Sequence, residues 1–334
     1  MKILVRSPNW IGDAVLCLSS TSYLKEKMPQ AHITMLAKDW VKDVFLNHPA
    51  IDEIISLNKA SITFIKKSKF DIGILFTNSF SSAFLFFLAD VKKRIGYKTD
   101  LRSLFLTDGI PVPKNLNTLH QRDYYFELVR NLVHGNDAVK NPVLYISDEE
   151  NEKADSALKG LGINGGTKIV GIFPGASYGP AKMWDTRNFK LLADKIITTD
   201  KAKVLIFGGK KEKELGEIIQ NEGSNIINLC SKTTLRETMA LIKRCAVFIT
   251  NDTGPMHIAS ALNIPVIAIF GPTNAERTSP LGSSIVIKKE FDCSPCKHRI
   301  CPLPNHKCME EISVEEVLET VKKWIDEPRN VKHR

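Results

Sequence analysis

The sequence predicts an α/β protein of two doubly wound units, each a parallel sheet flanked by helices. Three observations carry that prediction. Short runs rich in Ile, Val, Leu and Phe alternate almost throughout with longer amphipathic segments, the pattern that βαβ crossovers leave in a chain. The alternation starts afresh after a glycine-rich stretch near residue 160. The chain has 334 residues, 43% hydrophobic and 25% charged, enough for about two ordinary domains with a core in each.

Taken in order, the first half offers strands at 2–6 (KILVR), 32–37 (HITMLA), 53–57 (EIISL) and 70–76 (FDIGILF), with a helix over 12–29. The most apolar segment, ILFTNSFSSAFLFFLADV at 74–91, is broken by Thr77, Asn78 and a cluster of serines. It therefore reads as buried strand, loop and helix and not as a membrane span. A charged helix, SDEENEKADSALK, leads into LKGLGINGGTK, where Gly160, Gly162 and Gly165 match G-x-G-x-x-G in form. The dinucleotide fingerprint needs a strand before it and a helix after it, and here the order is reversed. These glycines are expected to end a helix and turn the chain, and the domain boundary is placed there, giving units 1–163 and 164–334. The second half offers strands at 168–175, 203–209, 225–230, 247–252, 265–271 and 283–288, and helices at 184–199, 210–223, 235–245 and 256–263. A last helix at 313–328 carries Val314, Val317, Leu318, Val321 and Trp324 on one face. The final RNVKHR is expected to fray.

Arg6, Asn9 and Asp13 interrupt any apolar signal-peptide core in the first twenty residues, so a cytoplasmic protein is expected. The net charge is +9, from 46 basic and 37 acidic residues, which suits an anionic partner without naming one. Residues 59–102 hold nine Lys or Arg against three Asp. That excess fits either a solvated surface or a patch for phosphates or acidic lipid. Aromatic residues are not interleaved with the basic ones as base-stacking platforms require, so no nucleic-acid partner is expected. Cys17, Cys230 and Cys245 sit in apolar contexts as core filler, whereas Cys293, Cys296, Cys301 and Cys308 crowd into CSPCKHRICPLPNHKC.

Ligands of open parallel sheets bind beyond the carboxyl ends of strands, so the loops after strands hold the chemistry. ILVRSPNWIGDAVL puts Asp13 just after the first strand, where it suits either a helix cap or a proton-transfer carboxylate in a cleft. FPGASYGPAKMW offers small residues, Gly175, Ala176 and Ser177, that let backbone N–H groups approach a phosphate, with Lys182 as a point charge; a polar turn with a surface lysine is the alternative. In ITNDTGPMHIASALNIPVIAIFGPT a strand ends at Asn251 and Asp252, Thr253 and Gly254 turn the chain, and a helix starts near Pro255 with His257 in its first turn. Unpaired N–H groups and the positive dipole end there suit a diphosphate, and Asp252, which would repel one, is read as a cap or loop-orienting group. In FGGKKEKEL, Glu212 is either a ribose ligand or simply exposed.

NWIGDAVL, FPGASYGPAKMW, FGGKKEKE, NDTGPMHIASALNIPVIAIFGPT and CSPCKHRICPLPNHKCM occur in an order and at a spacing that resemble the ADP-heptose:lipopolysaccharide heptosyltransferases of glycosyltransferase family nine, most of all their type II members. NSFSSAFLFFLADVKKRIGY is similar too, so the resemblance spans nearly the whole chain. It implies an inverting glycosyltransferase of the GT-B type, with two Rossmann-like domains facing a cleft, the first for the acceptor and the second for the ADP-sugar donor. It implies Asp13 as general base, Lys182 and backbone groups of Thr253 and Gly254 at the donor phosphates, Glu212 at the ribose, and Asp252 and His257 lining the donor site. Ser177 lies in a stretch that aligns loosely. Cationic and N–H donors fixed at the departing phosphate lower the barrier of such a transfer, which gives Lys182 a catalytic part as well. With this resemblance the catalytic reading of Asp13 overtakes the capping one. Asn9, Lys92, Lys93 and Arg94 are candidates for the acceptor side.

The partners implied are an ADP-heptose donor, a lipopolysaccharide inner-core acceptor and peripheral contact with the cytosolic face of the inner membrane. The chain has no Asp-x-Asp clamp, so metal-independent transfer with no cofactor is expected. The cysteine spacing C-x2-C-x4-C-x6-C falls outside familiar finger patterns; packed thiols, a disulfide and a structural zinc all fit it, and no metal is assigned. The last helix is expected to pack back on the first domain. The alternatives are a relative with another donor sugar or acceptor position and, more distantly, a non-catalytic metal- or nucleic-acid-binding protein, which would leave the ordered strand-end loops without a purpose.

Overall fold

The computed structural model describes residues 1–220, 223 and 225–325. They form two compact units that divide between Tyr145 and Ile146. The first contains six strands, β1 (Lys2–Arg6), β2 (His32–Ala37), β3 (Glu53–Ser56), β4 (Ile72–Leu75), β5 (Lys93–Tyr97) and β6 (Asp108–Ile110), in the order β3-β2-β1-β4-β5-β6. The second contains β7 (Ile169–Phe173), β8 (Lys203–Ile206), β9 (Ile226–Asn228), β10 (Val247–Asn251), β11 (Val266–Phe270) and β12 (Ser284–Lys288), in the order β12-β11-β10-β7-β8-β9. Every pairing is parallel. Both orders are the doubly wound 3-2-1-4-5-6, so each sheet has one switch point, between β1 and β4 and between β7 and β10.

The inner strands are buried along their length, as parallel strands covered on both faces must be; β7, β10 and β11 expose no residue. β5 and β6 were not predicted. KRIGY opens on two cations, and β6 has three residues. The helix expected over 12–29 is two helices, Ile11–Leu16 and Leu18–Lys27, joined at Cys17. The segment expected to be a buried strand, loop and helix contains β4 and the helix Phe80–Leu88, but only one face of that helix is buried. No helix among the described residues is long and apolar enough to cross a membrane.

The glycine-rich stretch ends a helix, as expected. The helix Asp148–Gly160 closes with Gly162 at φ 71°, Gly162 N–H donating to the Lys159 carbonyl at 3.0 Å and Ile163 N–H to that of Leu158 at 2.9 Å. This is a Schellman closure, with buried Ile163 and Leu158 as its apolar pair. The boundary lies earlier than 163/164, however. Glu150 pairs with Arg236 at 2.6 Å and Asp155 with Arg244 at 2.6 Å, so this helix is fastened to the helix Leu235–Ile242 region and belongs to the second unit.

The last helix, Val314–Ile325, is also a correction. Val317, Leu318, Val321 and Ile325 join Trp184, Phe189 and Ile196 in the second unit's core, with Trp324 against its edge, and the Trp184 indole N–H donates to the Ile312 carbonyl at 2.9 Å. Its apolar stripe is consumed within the core of its own unit. Residues 221 and 222 of the helix expected at 210–223, and the segment 329–334 expected to fray, lie outside the described residues.

Candidate functional site

In the first unit, β1 ends in a loop, Ser7–Trp10, that delivers Asp13 in the first turn of the helix Ile11–Leu16. The residue before that helix, Trp10, makes no side-chain cap. Asp13 is half-buried, and its Oδ1 accepts a hydrogen bond from the Tyr125 hydroxyl at 2.9 Å. Burial first, and then the Asp13 charge, push the Tyr125 hydroxyl well above the ordinary tyrosine range, so it remains a donor. Burial and the same charge raise the Cys17 thiol. Neighbouring Tyr124 stacks on Tyr97 and receives a 2.9 Å hydrogen bond from Asn78, in the loop after β4. Two consecutive tyrosines thus tie the helix Gln121–Val133 to both loops of the first switch point.

Asn9 is held by buried Arg6, whose Nη2 donates to its Oδ1 at 2.6 Å; desolvation lowers Arg6 to about 10. The Trp40 indole N–H donates to the Asn9 carbonyl at 3.0 Å, and the faces of Trp10 and Trp40 are 59% and 61% exposed. Lys92, Lys93 and Arg94 are not brought together with these groups. They lie at the amino ends of β4 and β5, where Lys92 pairs with Asp71 at 2.8 Å, Lys93 with Asp108 at 3.4 Å, and Arg94 donates to the Phe105 and Val91 carbonyls, each at 2.6 Å. Ligands of such sheets bind at the other end.

In the second unit, the loops after β7 and β10 meet at the second switch point. Buried Asn251 donates to the Pro174 carbonyl at 2.7 Å and accepts from the Trp184 N–H at 3.0 Å, stapling one loop to the other. Lys182 Nζ meets Asp252 Oδ2 at 2.5 Å, and Thr273 Oγ1 donates to the same oxygen at 2.6 Å. Asp252 is therefore the seat of the lysine, not a helix cap. The helix Gly254–Ala261 starts two residues beyond, with Thr253 making no side-chain cap and Pro255 in the first turn. His257 is buried in that turn. Glu212 is buried, not exposed: its carboxylate accepts from the Gly209 N–H at 2.8 Å, and its side chain packs on Gly175, where a Cβ would come within 2.4 Å of the Glu212 Cγ and 2.6 Å of its Oε1. Ser177 is exposed.

The cysteine-rich segment buttresses this loop. The Tyr178 hydroxyl donates to the Lys297 carbonyl at 2.6 Å, and Ala181 N–H to that of Arg299 at 3.1 Å. A Cβ on Gly179 would come within 2.4 Å of the same Arg299 carbonyl. Arg299 and Lys182 both lie over the Tyr178 ring. The four cysteines are free thiols, and burial, with the other three nearby, raises Cys308 to about 11. No group of three or more His, Cys, Asp or Glu among the described residues is arranged to hold a metal ion. Sequence reasoning missed Tyr125, Asn251, Arg6 and Trp40; their positions after strands or on a tyrosine pair were the only signals available.

Two doubly wound sheets in one chain, with polar groups gathered at both switch points, give the architecture of the GT-B class. Residues 60–307 match the family described as glycosyltransferase family 9 (heptosyltransferase), and the chain belongs to that family. It is 32% identical over 307 residues to lipooligosaccharide heptosyltransferase 2 of Haemophilus influenzae, covering 86% of this chain and 88% of the relative. It is 30% identical over 344 residues to the protein of the same name from Campylobacter jejuni, covering 97% and 99%. The solved structure of E. coli ADP-heptose lipopolysaccharide heptosyltransferase II superposes with a TM-score of 0.84 at 27% identity, covering 97% of this chain and 98% of that one.

Proposed function

We propose that the protein moves heptose from ADP-heptose onto the inner core of lipopolysaccharide, with inversion, at the cytosolic face of the inner membrane. The names of the relatives support the substrates. The observation that carries the chemistry is Asp13, a half-buried carboxylate at a switch point whose Oδ1 accepts from the Tyr125 hydroxyl.

In this reading units 1–145 and 146–334 take acceptor and donor respectively. Asp13 accepts the proton of the acceptor hydroxyl as that oxygen bonds to the anomeric carbon. The bond from that carbon to the phosphate oxygen breaks, and its electron pair leaves with ADP. Negative charge then grows on the diphosphate, where Lys182 and the N–H groups of Thr253 and Gly254 stabilise it electrostatically. Asp252 holds Lys182 in place before the donor arrives, His257 lines the donor pocket, Glu212 receives the ribose hydroxyls, and exposed Ser177 adds a hydroxyl at the loop edge. On the acceptor side, Trp10 and Trp40 present flat apolar faces to a sugar ring beside Asn9. Lys92, Lys93 and Arg94 drop out of the acceptor site.

The test is Asp13→Asn with ADP-heptose and a truncated lipopolysaccharide acceptor, scored by ADP release. Turnover is expected to fall by about 10²–10⁴-fold, the range of general-base catalysis, with donor affinity unchanged. Near-normal turnover would return Asp13 to a structural role.

A further inference from the structure

The helix Phe80–Leu88 has two apolar faces. Ala83 and Phe86 are buried in the first unit's core, and Gly73 on β4 makes room for the Phe86 ring, which a Cβ would approach to 2.5 Å. Phe80, Phe84, Phe87 and Leu88 form a second stripe at i, i+4, i+7 and i+8, and all four are exposed. Phe105 packs beside this stripe, its ring 5.1 Å from Phe80 and Phe84 and 5.3 Å from Phe87.

Leu101 and Leu104 extend the patch, 84% and 85% exposed. They are held outward by construction. Arg102 between them is fully buried, donating to the Tyr97 carbonyl at 2.7 Å and to the Thr77 carbonyl, and Leu101 adopts φ 54°, costly for a bulky side chain. A turn anchored by a buried guanidinium thus leaves two leucines in water, the kind of exposed apolar patch that marks interaction surfaces.

Charge selects the partner. Within 59–102 nine Lys or Arg face three Asp. Arg94 lies 5.6 Å over the Phe87 ring, and Lys59, Lys67, Lys69 and Lys98 make no ion pair among the described residues. Exposed aromatics and leucines, with Arg94 over one of the rings and unpaired lysines on the same stretch of chain, match the interface of an anionic bilayer, apolar below and phosphate-rich above.

We propose that this face docks the protein on an anionic membrane surface, with Phe84, Phe87, Leu101 and Leu104 entering the interfacial layer and Lys67 and Lys98 meeting lipid phosphates. The proposal rests on the reading that the acceptor is borne on a lipid, and it names the surface that brings the enzyme to it.

The experiment measures binding of the full chain to vesicles of phosphatidylethanolamine with phosphatidylglycerol, against neutral phosphatidylcholine vesicles, alongside turnover on a de-acylated, water-soluble acceptor. L101Q/L104Q is expected to weaken binding to anionic vesicles at least tenfold. K67E/K98E should weaken it at low salt by roughly fivefold for each charge removed. Both should keep parental turnover on the soluble acceptor. Because the two leucines are almost wholly solvated, the first variant folds as the parent does. Undiminished vesicle binding by L101Q/L104Q would overturn the proposal, as would a dimer in solution that the same change dissolves. A parent that binds vesicles as expected but releases no ADP would defeat the function reading and leave this surface standing.

Discussion

Asp13 owes its chemistry to a residue far along the chain. A carboxylate in the first turn of a helix is placed to satisfy orphan N–H groups, and here Tyr125, 112 residues away, also donates to it. The Tyr125 ring is fully buried and its hydroxyl stays protonated, so the bond sets the carboxylate's direction at every working pH. Tyr125→Phe keeps the ring packing and removes the hydroxyl, and with it both the donation to Asp13 and the hydrogen bond shared with Gln121. It is expected to lower kcat about tenfold, the loss attached to a hydrogen bond to a charged group, while donor KM and melting temperature stay near parental values; a purely structural role would move the melting temperature instead. Asp13, Lys182 and the turn at Thr253 and Gly254 were legible as residues that follow the carboxyl ends of β1, β7 and β10, because those strands read as apolar runs. Tyr125 and Asn251 were not, because their partners are distant: Asn251 reaches Gly175 across 76 residues, and a single sequence carries no signal for such a meeting.

At the scale of elements, hydrophobic patterning located ten of the twelve strands, since buried parallel strands read as unbroken apolar runs. It failed where charge entered the strand, at β5, and where the strand was three residues long, at β6. Glycine chemistry located the end of the helix Asp148–Gly160 but said nothing of which unit the helix joins, because that is decided by ion pairs to Arg236 and Arg244. One of these pairs makes a testable contribution. The Arg236 guanidinium, ahead of the other causes, holds the Glu150 carboxyl at about 2, below its ordinary 4.5. A depressed carboxyl contributes stability that is present above the unfolded value and is lost as pH falls through the folded one. The parent should therefore lose on the order of 2 kcal/mol from this pair between about pH 4.5 and pH 2. Glu150→Gln should lack that increment at neutral pH and melt roughly 4–8 °C lower. Its disadvantage should vanish near pH 2, as measured by calorimetry across the range; a constant difference at all pH values would exclude the pair as its source.

At the scale of the molecule, the chain has built the same doubly wound sheet twice and used it for different ends. The first switch point gathers a carboxylate and two tyrosines, the second a lysine, its counter-ion and a helix start. Each unit closes its own sheet, and the second also takes in Asp148–Gly160 and Val314–Ile325, so its core runs unbroken from Val170 to Ile325. The residues assigned to the donor, Lys182, Glu212, Asp252 and Thr273, and the 297–299 buttress all belong to the same unit. A fragment of residues 146–334 should therefore fold alone and bind ADP. Saturation at about a hundred times Kd stabilises the folded form by about 2.7 kcal/mol, which for a domain of this size raises the melting temperature by roughly 5–11 °C. Lys182→Met in the same fragment leaves the buried Asp252 carboxylate without its cation, so the unliganded melting temperature should itself fall by several degrees or more, and most of the ADP shift, measured against that lowered baseline, should be lost. A fragment that folds cooperatively but shows no ADP shift would mean that the second switch point is not sufficient for the nucleotide, and the division of labour between the units would have to be redrawn.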